Sequence, residues 1–217
     1  MRIGIIGGIF NPIHVGHLSM MDEVRKGLDI DKMLIVPNAN SHYKEGGQIS
    51  FESVSAMIDI AIHKSFNYEI IDFERNPENI HYSLDTLNKI KKRYKDNEKL
   101  FFILGSDQFL HFETWHQPEA IKELVNIVVP IRTPYMTDIN KWLLENRSFY
   151  KSKTYQEKIF LKNPSAKMII LYNLKKKIAI SSTEIKTMFM EKKYNEVKKF
   201  LPVGIFEYIF DNKLYIS

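Results

Sequence analysis

The sequence predicts an α/β protein built on a doubly wound parallel sheet. Two observations carry this. Short apolar runs recur along the chain, and segments of helical period separate them. The first run, "RIGIIG" (2–7), leads into a glycine-rich turn and then a helix, as the first strand of such a sheet does.

The elements follow in order. After the strand at 2–7, a helix is expected over 17–27. "KMLIVP" (32–37) is a second strand, ended by proline. Residues 38–49 are polar and contain glycine, and read as a loop. A helix follows Ser50, with Phe51, Val54, Met57, Ile58 and Ala61 at helical spacing. "YEIIDF" (68–73) reads as a strand, and 82–95 as a helix with Leu84, Leu87 and Ile90 inward. "LFFILG" (100–105) is the strongest strand. A helix at 118–125, a strand "NIVVPI" (126–131) and a strand "KMIILY" (167–172) complete the sheet. The charged, aromatic stretch at 134–164 is expected to be helical or loop-like. Two C-terminal helices are expected, broken at Pro202. The whole chain, 1–217, reads as a single domain, with a core over about 1–180 and a helical part over 181–217.

Composition narrows the function. Apolar residues make up 44% of the 217, enough for a sizeable core. There is no cysteine, so disulfides and thiolate metal sites are excluded, and a reducing, cytoplasmic setting is expected. No signal peptide or membrane span is expected. The net charge of +5 is modest and spread out, and no nucleic-acid recognition motif accompanies it. It suits a nucleotide or phosphate ligand, and equally a lysine-rich surface.

The chemistry concentrates in "GIIGGIFNPIHVGH" (4–17). Gly7 and Gly8 let the backbone approach a phosphate closely. The helix that begins near Gly16 aims free N–H groups and its positive end at the same place. His14 and His17 can both donate to phosphate oxygens. The glycines do not space as G-x-G-x-x-G or as a P-loop, and H-E-x-x-H is absent. "ISSTEIK" (180–186) is a second candidate anion site. Ser181 and Glu184 have capping-box spacing, and Ser181, Ser182 and Thr183 gather around a helix N-terminus. A well-capped helix is the plainer reading. Asp107, in the turn after the strand at 100–105, either caps a helix or faces a ligand, and Trp115 either packs in the core or stacks on a ring.

"GGIFNPIHVGH" resembles the nucleotidyltransferase signature G-G-T-F-D-P-x-H-x-G-H, with His14 to His17 as its H-x-G-H core. The resemblance implies a Rossmann-like nucleotidyltransferase fold that cradles a nucleotide triphosphate. It implies attack by a substrate phosphate on the α-phosphorus of ATP with loss of pyrophosphate, Mg²⁺ riding on the phosphates. "ISSTEIK" is similar to the family's I-S-S-T-x-I-R element, with Lys186 in place of arginine. Most of the chain resembles one branch, the bacterial nicotinate mononucleotide adenylyltransferases. "SHYK" (41–44), "HYSLDTL" (81–87), "FFILGSDQFLHFETW" (101–115) and "FLPVGIFEYIFDNKLY" (200–215) carry that likeness.

By resemblance, His14, His17 and Lys44 are the catalytic residues. Gly7, Gly8, Ile9, Phe10, Gly16, Gly105, Asp107, Ser181, Ser182, Thr183 and Lys186 would bind ATP, and Tyr82, Ser83, Thr86 and Trp115 the pyridine mononucleotide. The expected partners are ATP and that mononucleotide, with no nucleic acid or membrane; a homo-oligomer is allowed. The chain departs from the pattern at Ile9 for threonine, Asn11 for aspartate, and Val54 where the branch carries arginine. Loss of a basic side chain at Val54 bears on selection of an acid over an amide. Nicotinamide mononucleotide or another phosphate acceptor, and a catalytically weak nucleotide-binding protein, stay open as alternatives.

Overall fold

The apolar runs become strands because their side chains are covered on both faces. The computed structural model describes residues 1–38, 49–63, 65, 67–76, 79–94, 98–131, 135–146, 149–176 and 178–216. In it, β2 (Lys32–Pro37), β4 (Lys99–Ile103), β5 (Asn126–Ile131) and β8 (Ile169–Asn173) bury all but one residue each, and β1 (Arg2–Gly8) buries its middle, Ile3 to Ile6. That is the signature of parallel strands with helices on either side. β3 (Tyr68–Ile70) is short and half-buried. The strand order is β3-β2-β1-β4-β5-β8, continued by β7 (Lys158–Lys162) and β6 (Tyr150–Tyr155) at the edge. The order reverses between β1 and β4, as in doubly wound sheets, so the loops leaving these two strands are the privileged ones.

The helices fall where periodicity places them: α1 (Val15–Gly27), α2 (Phe51–Ile62), α3 (Ser83–Tyr94) and α5 (Pro118–Leu124). A short α4 (Ser106–Leu110) follows β4 directly. The stretch at 134–164 holds α6 (Met136–Glu145) and then a hairpin, β6 (Tyr150–Tyr155) and β7 (Lys158–Lys162). The hairpin was not expected, and it makes one edge of the sheet antiparallel. Its sequence, "YKSKTYQEKIFLK", carries no Asn-Gly or Asp-Gly turn. The turn is instead made with Gln156 at φ 50°, which glutamine adopts only against strain. β6 is the outer strand, and its exposed lysines discourage pairing with another sheet. The C-terminal part is α7 (Ser182–Met190), α8 (Tyr194–Val197) and, after Pro202, α9 (Ile205–Asp211). Among the described residues no helix is long and apolar enough to cross a membrane.

Contacts divide the chain into two compact units. The first comprises Met1–Ile6, Glu23–Met33 and His81–Lys175. It pairs β1 with β4 from Arg2↔Lys99 to Ile6↔Ile103, then β4 with β5 and β5 with β8, all parallel. Trp142 packs between Phe109 and Phe149, its ring tilted against both at 4.7 and 5.8 Å. The C-terminus of α1 is held tightly here. Lys158 is buried and donates to the carbonyl of Gly27, placing a cation at the negative end of the helix. The second unit comprises Gly7–Asp22, Leu34–Ile80 and Lys176–Ser217. Ser50 caps α2, whose buried face is Val54, Met57 and Ile58.

Lys122 is the most telling buried charge of the first unit. Its side chain is 5% exposed, and its ammonium lies 2.8 Å from Glu113 and 2.7 Å from Glu119. Burial is the largest single influence and pushes its pKa down. Hydrogen bonds and charge from the two carboxylates outweigh it, and the net shift is upward from 10.5. A lysine whose folded pKa lies above its unfolded value stabilises fully below the unfolded value. That contribution is lost as pH rises through the folded pKa. The expected result is therefore a steeper alkaline loss of stability above pH 10.5 in the parent than in Lys122→Met, measured by urea unfolding across pH. Superimposable pH profiles would contradict this role.

Candidate active site

The opening motif folds as a tight loop between β1 and α1. Phe10 turns into the left-handed region at φ 46° and buries its ring. Asn11, Pro12 and Ile13 are buried behind it, and α1 begins at Val15. His14 is 2% exposed and His17 half-buried. Their rings stack with centroids 3.7 Å apart and planes 24° apart. Phe10 meets His17 edge-on at 5.2 Å. Gly16 permits this packing: a Cβ there would stand 3.0 Å from Nδ1 of His14 and 3.3 Å from Ile180.

Hydrogen bonds fix which ring nitrogen of each histidine can donate. The backbone N–H of His14 donates to Nδ1 of His17 at 3.3 Å, and the N–H of His17, bonded to the carbonyl of His14 at 2.9 Å, is shared with Nδ1 of His14 at 3.3 Å. A nitrogen that accepts carries no proton. In a neutral ring so bonded the proton sits at Nε2.

The second motif reaches the same loop. Ser181 caps α7 in a full capping box: its hydroxyl accepts from the N–H of Glu184 at 3.2 Å, and the Glu184 carboxylate accepts from the N–H of Ser181 at 2.7 Å. Ser182 donates its hydroxyl to the carbonyl of Pro12 at 2.9 Å, across 170 residues of sequence. Ile180 lies against the Gly16 backbone. The two serine hydroxyls are thus engaged within the protein. What this end of α7 offers an anion is its first-turn backbone N–H groups, beside the exposed Thr183 and the half-buried Lys186. Glu184 already serves as the anion for the N–H of Ser181.

The remaining candidates lie in the first unit. Tyr82 is 40% exposed and stacks on His116 at 4.1 Å and 26°. Ser83 begins α3, and Thr86, one turn on, is buried. Asp107 is exposed in the first turn of α4 and bends back over Gly105, while Gln108 donates to its carboxylate at 3.2 Å. Trp115 is half-buried, tilted against Phe112 at 5.5 Å and edge-on to Phe102 at 6.3 Å. It packs on the core with one part left accessible. Lys44 lies outside the described residues. Val54 is 0% exposed within the apolar face of α2, so the departure there is a packing residue. Among the described residues no three His, Asp or Glu side chains converge as a metal site.

Sequence reasoning missed three contacts: the crossed Nδ1 bonds, the Ser182 link to Pro12, and a bond from Tyr215 to Asn11. The last two span 170 and 204 residues, and no local pattern signals them.

Comparisons with known proteins agree on one family. The model of the cytidylyltransferase-like family matches residues 5–188. A protein of Borreliella afzelii named "Probable nicotinate-nucleotide adenylyltransferase" is 33% identical over 218 residues, covering 100% of this chain and 98% of that one. A protein of Clostridium botulinum with the same name is 34% identical, covering 99% and 98%. Among solved structures, the nicotinic acid mononucleotide adenylyltransferase of Plasmodium falciparum, complexed with NaAD, matches with a TM-score of 0.75 at 22% identity. That match covers 99% of this chain and 97% of the other, and is a likeness of fold.

Proposed function

Because the chain belongs to the cytidylyltransferase-like family and, within it, to the nicotinate-nucleotide adenylyltransferases, we propose that it transfers the adenylyl group of ATP to nicotinate mononucleotide. The products are deamido-NAD and pyrophosphate, a step of NAD biosynthesis. A phosphate oxygen of the mononucleotide attacks the α-phosphorus of ATP, and the bond to the β-phosphate oxygen breaks. No covalent bond to the protein forms. Positioning and charge neutralisation supply the catalysis.

The crossed hydrogen bonds of His14 and His17 carry this reading. They orient both rings at the start of α1, where negative charge is also met by the helix end; in our reading each ring then turns Nε2 to the phosphates of ATP. These donors follow the charge that builds on the leaving pyrophosphate. The backbone of Gly7, Gly8, Ile9 and Phe10 lines the nucleotide, with Gly16 keeping α1 close. The first turn of α7, at Ser181, Ser182 and Thr183, adds N–H donors, and Lys186 and Lys44 add charge. Lysine at 186 supplies a point charge in place of a bidentate fork. ATP would enter as its Mg²⁺ complex, the ion supplying further neutralisation of the phosphate charge. Gly105 and Asp107 are assigned to ATP, and Tyr82, Ser83, Thr86 and Trp115 to the mononucleotide, with Trp115 as the stacking surface.

The test is pyrophosphate release. It is expected to require ATP, Mg²⁺ and nicotinate mononucleotide together, with deamido-NAD appearing in equal amount. Binding of ATP with no release would point to a nucleotide-binding protein. Release of phosphate without any acceptor would point to a hydrolase.

A further inference from the structure

The C-terminal tail ends on the opening motif. Beyond α9 the chain turns back, with the N–H of Lys213 donating to Phe210 at 3.1 Å and that of Leu214 to Ile209 at 2.9 Å. Tyr215 follows, its ring 6.0 Å from Phe189 and its hydroxyl donating to the side-chain carbonyl of Asn11. Asn11 is 9% exposed and lies three residues before His14. The next residue, Pro12, receives the Ser182 hydroxyl. The loop between β1 and α1 is therefore tied at adjacent residues, once to the start of α7 and once to the tail. Burial pushes the Tyr215 phenol well above its usual range, so it remains a donor. At Asn11 the acceptor is an amide oxygen, which meets a phenol donor without bringing a carboxylate beside a phosphate-binding loop.

We propose that Tyr215 is a positioning residue for adenylyl transfer: by holding Asn11 it fixes the loop that carries His14 in the form that receives the phosphates of ATP. This rests on the function proposed above. Neither residue needs to touch the reacting atoms. Removing the phenol hydroxyl leaves a buried amide without its donor, which the loop relieves only by moving.

The experiment compares the parent with Tyr215→Phe, Asn11→Ala and the double variant. Readouts are kcat, KM for each substrate, Tm, and calorimetric binding of a non-hydrolysable ATP analogue with Mg²⁺. Tyr215→Phe keeps the ring on Phe189, so Tm should stay close to the parent's. Its kcat/KM for ATP and its analogue affinity should each fall about tenfold, with KM for the mononucleotide unmoved. Asn11→Ala should lose a similar factor, and the double variant should lose no more than either single variant, since both break one contact. ATP parameters equal to the parent's in Tyr215→Phe, or losses that multiply in the double variant, would overturn the positioning role and leave the function standing. Should Tyr215→Phe not fold, Asn11→Ala decides: parent-like ATP parameters overturn the role, and a tenfold loss supports it. A parent that binds the analogue but releases no pyrophosphate would overturn the adenylyl-transfer reading, and the binding arm alone would then decide whether Tyr215 orders the loop.

Discussion

Replacing His17 with alanine is expected to lower turnover by about two to three orders of magnitude while leaving the fold in place. The ring is half-buried and packs on His14 and Phe10, so its removal costs some local contact and no core. On the proposed function it also removes a ring donor to the phosphates of ATP. The crossed bonds make this sharper. Glutamine places its amide near the position of Nε2, whereas asparagine places its amide near Nδ1. His17→Gln should therefore retain more turnover than His17→Asn or His17→Ala, and His17→Asn should better preserve stability by still accepting from the N–H of His14. Turnover in His17→Ala equal to the parent's would remove His17 from the chemistry. Unfolding of that variant, seen by circular dichroism, would make its role structural.

The largest loss of stability is expected at Gly27, the last residue of α1. A Cβ there would stand 2.1 Å from the hydroxyl oxygen of Tyr172 and 2.8 Å from its ring. Tyr172 is buried on β8 and bonds to the carbonyl of Glu23, so the ring has little room to move. Gly27→Ala is expected to cost about 2–3 kcal/mol, as overpacking of a well-packed site does. For a chain of this size that lowers Tm by roughly 4–12 °C. Tyr172→Phe removes the nearest of the clashing atoms and should return part of the loss when combined with Gly27→Ala. An unchanged Tm in Gly27→Ala would mean that the end of α1 is not clamped as described.

How much of this was legible in the sequence follows from the range of each interaction. The buried strands at 2–7, 32–37 and 100–105 announce themselves, because a strand covered on both faces is apolar throughout. The capping box from Ser181 to Glu184 is local, four residues long, and forms as its spacing predicts. The hairpin over 150–162 was not legible: its outer strand is exposed and lysine-rich, and its turn uses glutamine where glycine would signal it. The histidine pair was legible as two residues but not as a geometry, since their crossed bonds depend on how the helix starts. Resemblance made Val54 a missing charge, while the structure places it in the buried face of α2, so its apolar nature follows from packing. Ser182 and Tyr215 were invisible as partners of the first loop, because their contacts close over most of the chain's length.

The most direct test of the central claim is pyrophosphate release with ATP and Mg²⁺, nicotinate mononucleotide and nicotinamide mononucleotide being compared side by side with the product identified by mass. The account predicts deamido-NAD as the product, and a kcat/KM for the acid at least about tenfold above that for the amide. Faster use of the amide, or no dinucleotide from either, would contradict it.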